Sequence, residues 1–193
     1  METKLDREVA DDLLTALEEQ LAAAGEHFEI VVIGGSGLLA LGLVERTTRD
    51  VDIVALRVGL ELEGADPLPE PLQRARDRVA RDFGLSTSWL NTGPTSLLDF
   101  GLPEGFSERL SSRPYGKGLI VHFASRLDQI HFKLYAAVDQ GAGKHSTDLE
   151  ALSPTKAELL QAARWTRTHD PSPGFEEVLR RVLSHFGVDD AGL

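Results

Sequence analysis

Asp50 and Asp52 stand two residues apart at the head of an apolar run, Asp50-Val51-Asp52-Ile53-Val54-Ala55-Leu56. In a strand alternate side chains share a face, so the two carboxylates point one way while Val51 and Ile53 point the other. Their Cα atoms then lie about 6.5–7 Å apart. Two like charges at that range repel, and a divalent cation held between them is the usual remedy. Upstream, Gly34-Gly35-Ser36 closes an apolar run and opens another, a turn whose free backbone N–H groups suit a phosphate. Farther on, Lys133 puts a cation in the otherwise apolar helix segment Phe132-Lys133-Leu134-Tyr135-Ala136, and Asp148 follows fifteen residues later. Cradle and acid pair together describe chemistry on a nucleoside triphosphate with a metal. Taken singly each has a plainer use: solvated acids at a strand start, a lysine reaching out past a buried face, and a helix N-cap at Asp148.

These residues need particular elements beneath them. Residues 29–33 read as a buried strand, the apolar run to residue 43 as a helix, and residues 50–56 as a second strand. Before them, residues 4–24 carry Leu5, Val9, Leu13, Leu17 and Leu21 at helical spacing, with Gly25 as a stop. Residues 57–71, with two glycines and three prolines, read as a loop or insertion. A helix is expected over 72–83, a strand over 85–90 and a turn at 91–94, whereas 95–116 shows no clear pattern beyond a short helix at 96–100. A strand follows at 118–124, and Ser125-x-x-Asp128 begins a helix that runs to about Gly141. Residues 142–147 read as a connector, 148–152 and 154–168 as helices with Ser153 as N-cap and Pro154 at the first helical position, and 174–186 as a last helix. The expected fold is therefore α/β (α+β): a mixed-sheet core with its N-terminal helix over 1–125, then a helical part over 126–193 that completes the active site.

Composition narrows the class. At 193 residues with 41% hydrophobic content the chain builds an ordinary core. It has no cysteine, which excludes disulfides, thiol nucleophiles and thiolate-bound zinc. No apolar run is long enough for a membrane span, and the charged start lacks the apolar centre of a signal peptide. A cytoplasmic protein without a membrane partner is expected. A net charge of -11 argues against a general nucleic-acid surface. A nucleic acid would have to approach through local basic clusters such as Arg74, Arg76, Arg78 and Arg81, or Arg109, Arg113 and Lys117.

A strand, Gly35-Ser36, thirteen residues, then Asp50-x-Asp52 and apolar residues resembles the signature of polymerase-β-type nucleotidyltransferases. Lys133 with Leu134 and Ala136, the basic Lys144, and Asp148-Leu149 with Leu152 resemble the downstream motifs of the AbiEii/MenT-type nucleotidyltransferase toxins. The resemblance covers about residues 29–56 and 118–152. It implies a polymerase-β-like core and a Mg²⁺-dependent enzyme, with two ions possible, that moves a nucleoside monophosphate from an NTP to a hydroxyl. It also implies a pyrimidine donor, a tRNA 3′ end as acceptor, and a cognate antitoxin protein as partner. Asp50 and Asp52 would hold the metal, and Gly35, Ser36, Arg49 and Lys133 the nucleotide. Asp50, Asp52, Lys133 and Asp148 would be catalytic, with Asp148 orienting Lys133, serving as base or adding a metal ligand. The chain departs from the broader pattern at residues 118–124, where His122 stands in place of a third acid. Thr48, beside the acids, is a place where an added phosphate would repel the triphosphate or sequester the cation. Two other classes fit the same residues: a nucleotidyltransferase acting on a small molecule or a protein, and a catalytically silent binding module.

Overall fold

Mostly apolar runs make two segments, β1 (Phe28–Ile33) and β6 (Leu119–Phe123), which pair in parallel in the middle of a mixed sheet. This computed structural model describes residues 4–141 and 143–189. The described chain folds as two compact units, one running to Leu102 and including Phe106–Ala124, the other taking Pro103–Gly105 and the chain from Ser125 onward.

The first unit is α/β. Besides β1 and β6 its strands are β2 (Val51–Val58), β3 (Glu61–Glu63), β4 (Leu90–Asn91) and β5 (Ser111–Pro114), and its helices are α1 (Arg7–Ala23), α2 (Gly34–Ala40) and α3 (Glu70–Phe83). The sheet runs β3-β2-β1-β6-β5. The outer edge of β2 is shared: its start pairs in parallel with β4, Asp52 beside Asn91, and its end pairs antiparallel with β3. Asp6 caps α1, its Oδ1 accepting from the Val9 amide at 3.0 Å. The apolar stripe Leu13, Leu17 and Leu21 then packs in one cluster with Ile30, Val32, Val51, Ile53, Leu56, Val121 and Phe123. Ile53 and Leu56 are three apart yet share that cluster. A β-bulge explains this: Val31 pairs with Ala55 but Val32 with Ile53, so β2 absorbs one extra residue.

Several expectations change. Asp50 lies one residue before β2, and the helix after the glycines stops at Ala40. The proline-rich loop holds a tight hairpin at Gly59-Leu60 and the strand β3. The expected strand at 85–90 is mostly a 3₁₀ turn, because Ser86 caps Thr87–Trp89 and leaves only Leu90–Asn91 extended. Residues 111–114 form β5, an edge strand whose polar Ser-Ser-Arg-Pro carries no apolar alternation.

The second unit is helical: α4 (Arg126–Asp139), α5 (Gly143–Ala151), α6 (Lys156–His169) and α7 (Pro173–His185). The expected connector is α5 from Gly143 on, and Ala142 lies outside the described residues. Ser125 caps α4 as its spacing predicts, donating to Asp128 Oδ2 at 2.6 Å and accepting from the Asp128 amide. The cap of α6 is Thr155, not Ser153, because Glu158 completes a reciprocal capping box with it. Arg126 bonds Glu158 and the Leu152 and Ser153 carbonyls, and its guanidinium draws the Glu158 carboxyl down to about 2. Among the described residues no helix is long and apolar enough to cross a membrane.

The entry to β6 makes a test of the α1 packing. A Cβ on Gly118 would lie 2.7 Å from the Ala22 amide nitrogen and 3.0 Å from the Glu18 carbonyl. Gly118→Ala is expected to cost about 1–3 kcal/mol in urea unfolding. Gly174→Ala, on a helix and with nothing within 4 Å, should be neutral or stabilising by up to about 1 kcal/mol. Equal midpoints for the two variants would contradict the close approach.

Candidate active site

The acid pair sits where β1 ends. Ile33 pairs with Asp52, and Gly34 then turns the chain into α2 with φ of +73°. A Cβ on Gly34 would fall 2.3 Å from Asp52 Oδ2, so the backbone rests directly against the carboxylate and only glycine fits. The other oxygen, Oδ1, accepts a hydrogen bond from Asn91 Nδ2 at 2.8 Å. Asn91 is itself fixed, its Oδ1 accepting from the Gly93 amide at 3.1 Å. Asp52 is thus oriented from two sides, by the β1–α2 turn and by β4. Asp50 and Asp52 are both partly exposed.

The neighbouring residues are placed less uniformly. Gly35 faces Thr48: a Cβ there would be 2.7 Å from Thr48 Oγ1 and 3.4 Å from Arg46 Nη2. Thr48 is buried and pinned by a two-way backbone bridge to Leu5 at 2.7 and 2.8 Å. That burial does not favour the phosphorylation switch expected there. Arg46, held by its own bond to the Thr47 carbonyl at 2.9 Å, is the arginine that reaches Gly35, while Arg49 is exposed. Ser36 is buried and its Oγ makes no hydrogen bond. It lines a small void with Val32, Val51, Tyr115 and Phe123. Those strand residues face α1, whereas Asp52 emerges on the opposite face of β2. The structure does not bring the Ser36 hydroxyl beside the carboxylates. At the rim of the same void Tyr115 donates to Asp11 Oδ1 at 2.5 Å, and burial, reinforced by Asp11, pushes its pKa up.

Among the described residues no three His, Asp or Glu side chains gather into a metal cage. Two carboxylates nonetheless suit Mg²⁺, which keeps several waters and is commonly held by one or two carboxylates plus substrate phosphates. Asp52, partly exposed and oriented from both sides, supplies one such carboxylate, and Asp50, also partly exposed, stands two residues before it. Sequence reading takes Asn91 for a turn residue; its contact with Asp52 depends on a parallel pairing 39 residues apart, which leaves no local signal.

In the second unit Lys133 Nζ and Asp148 Oδ2 form an ion pair at 2.7 Å, with side chains 6% and 1% exposed. Asp148 lies well inside α5, so it is not the N-cap of a helix. Nearby on α4, His131 donates from Nδ1 to the Leu127 carbonyl at 2.8 Å and meets Trp165 edge-on. No protein-family model, curated protein or solved structure matches the chain.

Removing one member of a buried ion pair costs far more than replacing both. Lys133→Ala is expected to lower stability by about 3–5 kcal/mol, while the double change Lys133→Met with Asp148→Leu recovers most of it. Chemical denaturation of the three proteins measures this. A single variant as stable as the parent would mean the pair is not held as described.

Proposed function

We propose that the chain is a metal-dependent nucleotidyltransferase, moving a nucleoside monophosphate from an NTP to an acceptor hydroxyl. The observation that carries this reading is the Asp52 carboxylate, lodged against Gly34 and tied to Asn91, with Asp50 just before the strand. Such an arrangement holds oxygen ligands at a fixed place at the mouth of a sheet, next to a turn where backbone can approach a ligand closely. Asp50 and Asp52 would hold Mg²⁺, and the resemblance allows two ions. A bound divalent cation neutralises triphosphate charge and lowers the pKa of an attacking hydroxyl. The chain's own groups do the rest. Asn91 fixes the direction of Asp52, and Arg46, partly exposed beside the turn, offers a cation for phosphate oxygens. Pyrophosphate leaves as the hydroxyl oxygen bonds to the α-phosphorus. The resemblance alone gives Lys133 and Asp148 parts in this reaction, Lys133 as a source of positive charge.

Resemblance to the AbiEii/MenT-type toxins supports a finer reading: a tRNA 3′ end as acceptor, a pyrimidine nucleotide as donor, a cognate antitoxin as partner and a cytoplasmic setting. The charge of -11 favours a second reading, with a small molecule or protein in place of RNA as acceptor.

Incubation with Mg²⁺, each α-labelled NTP, and either total tRNA or protein lysate separates these. Label is expected to move in the parent protein and to fall by more than about 100-fold in Asp50→Asn and Asp52→Asn. Asn91→Ala, which acts only through Asp52, should lose about 10- to 100-fold. Near-parental transfer in either aspartate variant would remove the acid pair from the reaction.

A further inference from the structure

Glu29, Ser112 and His122 lie apart from the acid pair, one on each of three adjacent strands. In the β5–β6 pair Ser112 stands directly opposite His122, and in the parallel β1–β6 pair Val31 stands beside His122, with Glu29 two residues back on the same face. The side chains form one continuous line. His122 Nε2 is 2.6 Å from Glu29 Oε2, and His122 Nδ1 is 2.7 Å from Ser112 Oγ. His122 is 4% exposed, while Ser112 is exposed.

Hydrogen-bond polarity sets the direction of that line. An ionised carboxylate only accepts, so His122 Nε2 carries the proton. In the neutral ring Nδ1 is then a lone pair, and the hydrogen bond there is donated by the Ser112 hydroxyl. The serine proton already points at a base whose far side is held by an acid. His27 Nδ1 is 2.7 Å from the Lys117 carbonyl oxygen, which only accepts, so Nδ1 is the donor; its Nε2 faces Glu29 Oε1 at 3.8 Å. Nucleophile in reach of base, and base oriented by a third group, is the arrangement that activates a hydroxyl.

We propose that Ser112 is a second, independent reactive centre: a nucleophile acylated by small, activated carboxylic esters, with His122 as its base and Glu29 as a positioning residue. Ser112 Oγ bonds to the carbonyl carbon as its proton passes to His122 Nδ1. The bond from that carbon to the ester oxygen then breaks, and the alcohol leaves with the proton from Nδ1. Water hydrolyses the acyl-serine by the same route, giving the acid and restoring the hydroxyl. Small esters are the fitting class because, among the described residues, β5 has β6 as its single neighbour at the edge of the sheet and Ser111, Ser112 and Pro114 are exposed around the hydroxyl. This centre does not depend on the nucleotidyltransferase reading.

The probe is p-nitrophenyl acetate, with peptide mass spectrometry to locate the acetyl group. Acetylation is expected at Ser112 and not at the adjacent exposed Ser111, with release of p-nitrophenolate that Ser112→Ala abolishes and His122→Gln slows by about 100-fold or more. A folding defect in His122→Gln is bypassed with Ser112→Cys, because the parent chain has no cysteine. Its thiol should react with iodoacetamide about tenfold or more faster than that of Ser111→Cys. Glu29→Gln in the same background should remove most of that advantage while leaving the melting temperature close to that of the unaltered Ser112→Cys protein. Acetyl groups spread equally over Ser111 and Ser112 or confined to lysines, or equal alkylation of the two thiols, would overturn the proposal.

Discussion

Not even a methyl group fits between the backbone of Gly34 and the carboxylate of Asp52, and much of the first unit follows from that contact. It obliges β1 to end in a residue that takes a positive φ, so the chain can turn at once into α2. It fixes the start of β2 beside the end of β1, with Ile33 opposite Asp52. The bulge one step farther along then restores the apolar side chains of β2 to the α1 face, where Val51, Ile53 and Leu56 share one cluster. One carboxylate is thereby presented on the far face while the core stays continuous on the near one.

Two further contacts hold this arrangement from outside. The bridge between Leu5 and Thr48 fastens the segment after α2 to the start of the chain and seats Thr48 on Gly35. The short parallel pairing of β4 delivers Asn91 to Asp52. Each also buries a leucine, Leu5 and Leu90, in the core cluster. Both orient polar groups, which is the work expected around a site that must hold oxygen ligands at a set place. In the helical unit a buried ion pair, Lys133 with Asp148, sits among other buried polar side chains such as Gln129, His131 and Thr166. Burying both charges at 2.7 Å is tolerable because they are buried together.

What the amino-acid sequence discloses depends on how local each cause is. The turn at Gly34-Gly35-Ser36, the acids two residues apart and the Ser125 cap are written in adjacent residues, and an α/β architecture with a mixed sheet followed from them. The capping box at Thr155 was equally local, yet Ser153-Pro154 offered a competing cap two residues earlier. By contrast β5 is a polar edge strand that makes sense only against β6, and Asn91 acquires its meaning from a partner 39 residues away. The bulge in β2 leaves no trace in composition, because each residue around it is apolar. Ser36 shows the opposite failure: its place in the motif suggests a phosphate ligand, but packing turns it toward the α1 face.

The central claim is that Asp50 and Asp52 hold a divalent cation together with a nucleoside triphosphate. Its most direct measurement is Mn²⁺ binding followed by electron paramagnetic resonance, with and without a non-hydrolysable NTP. Two carboxylates alone should bind Mn²⁺ weakly, and the nucleotide should tighten it by about tenfold or more, with the effect lost in Asp52→Asn. Mn²⁺ affinity that is the same with and without nucleotide, or unchanged in Asp52→Asn, would contradict the account.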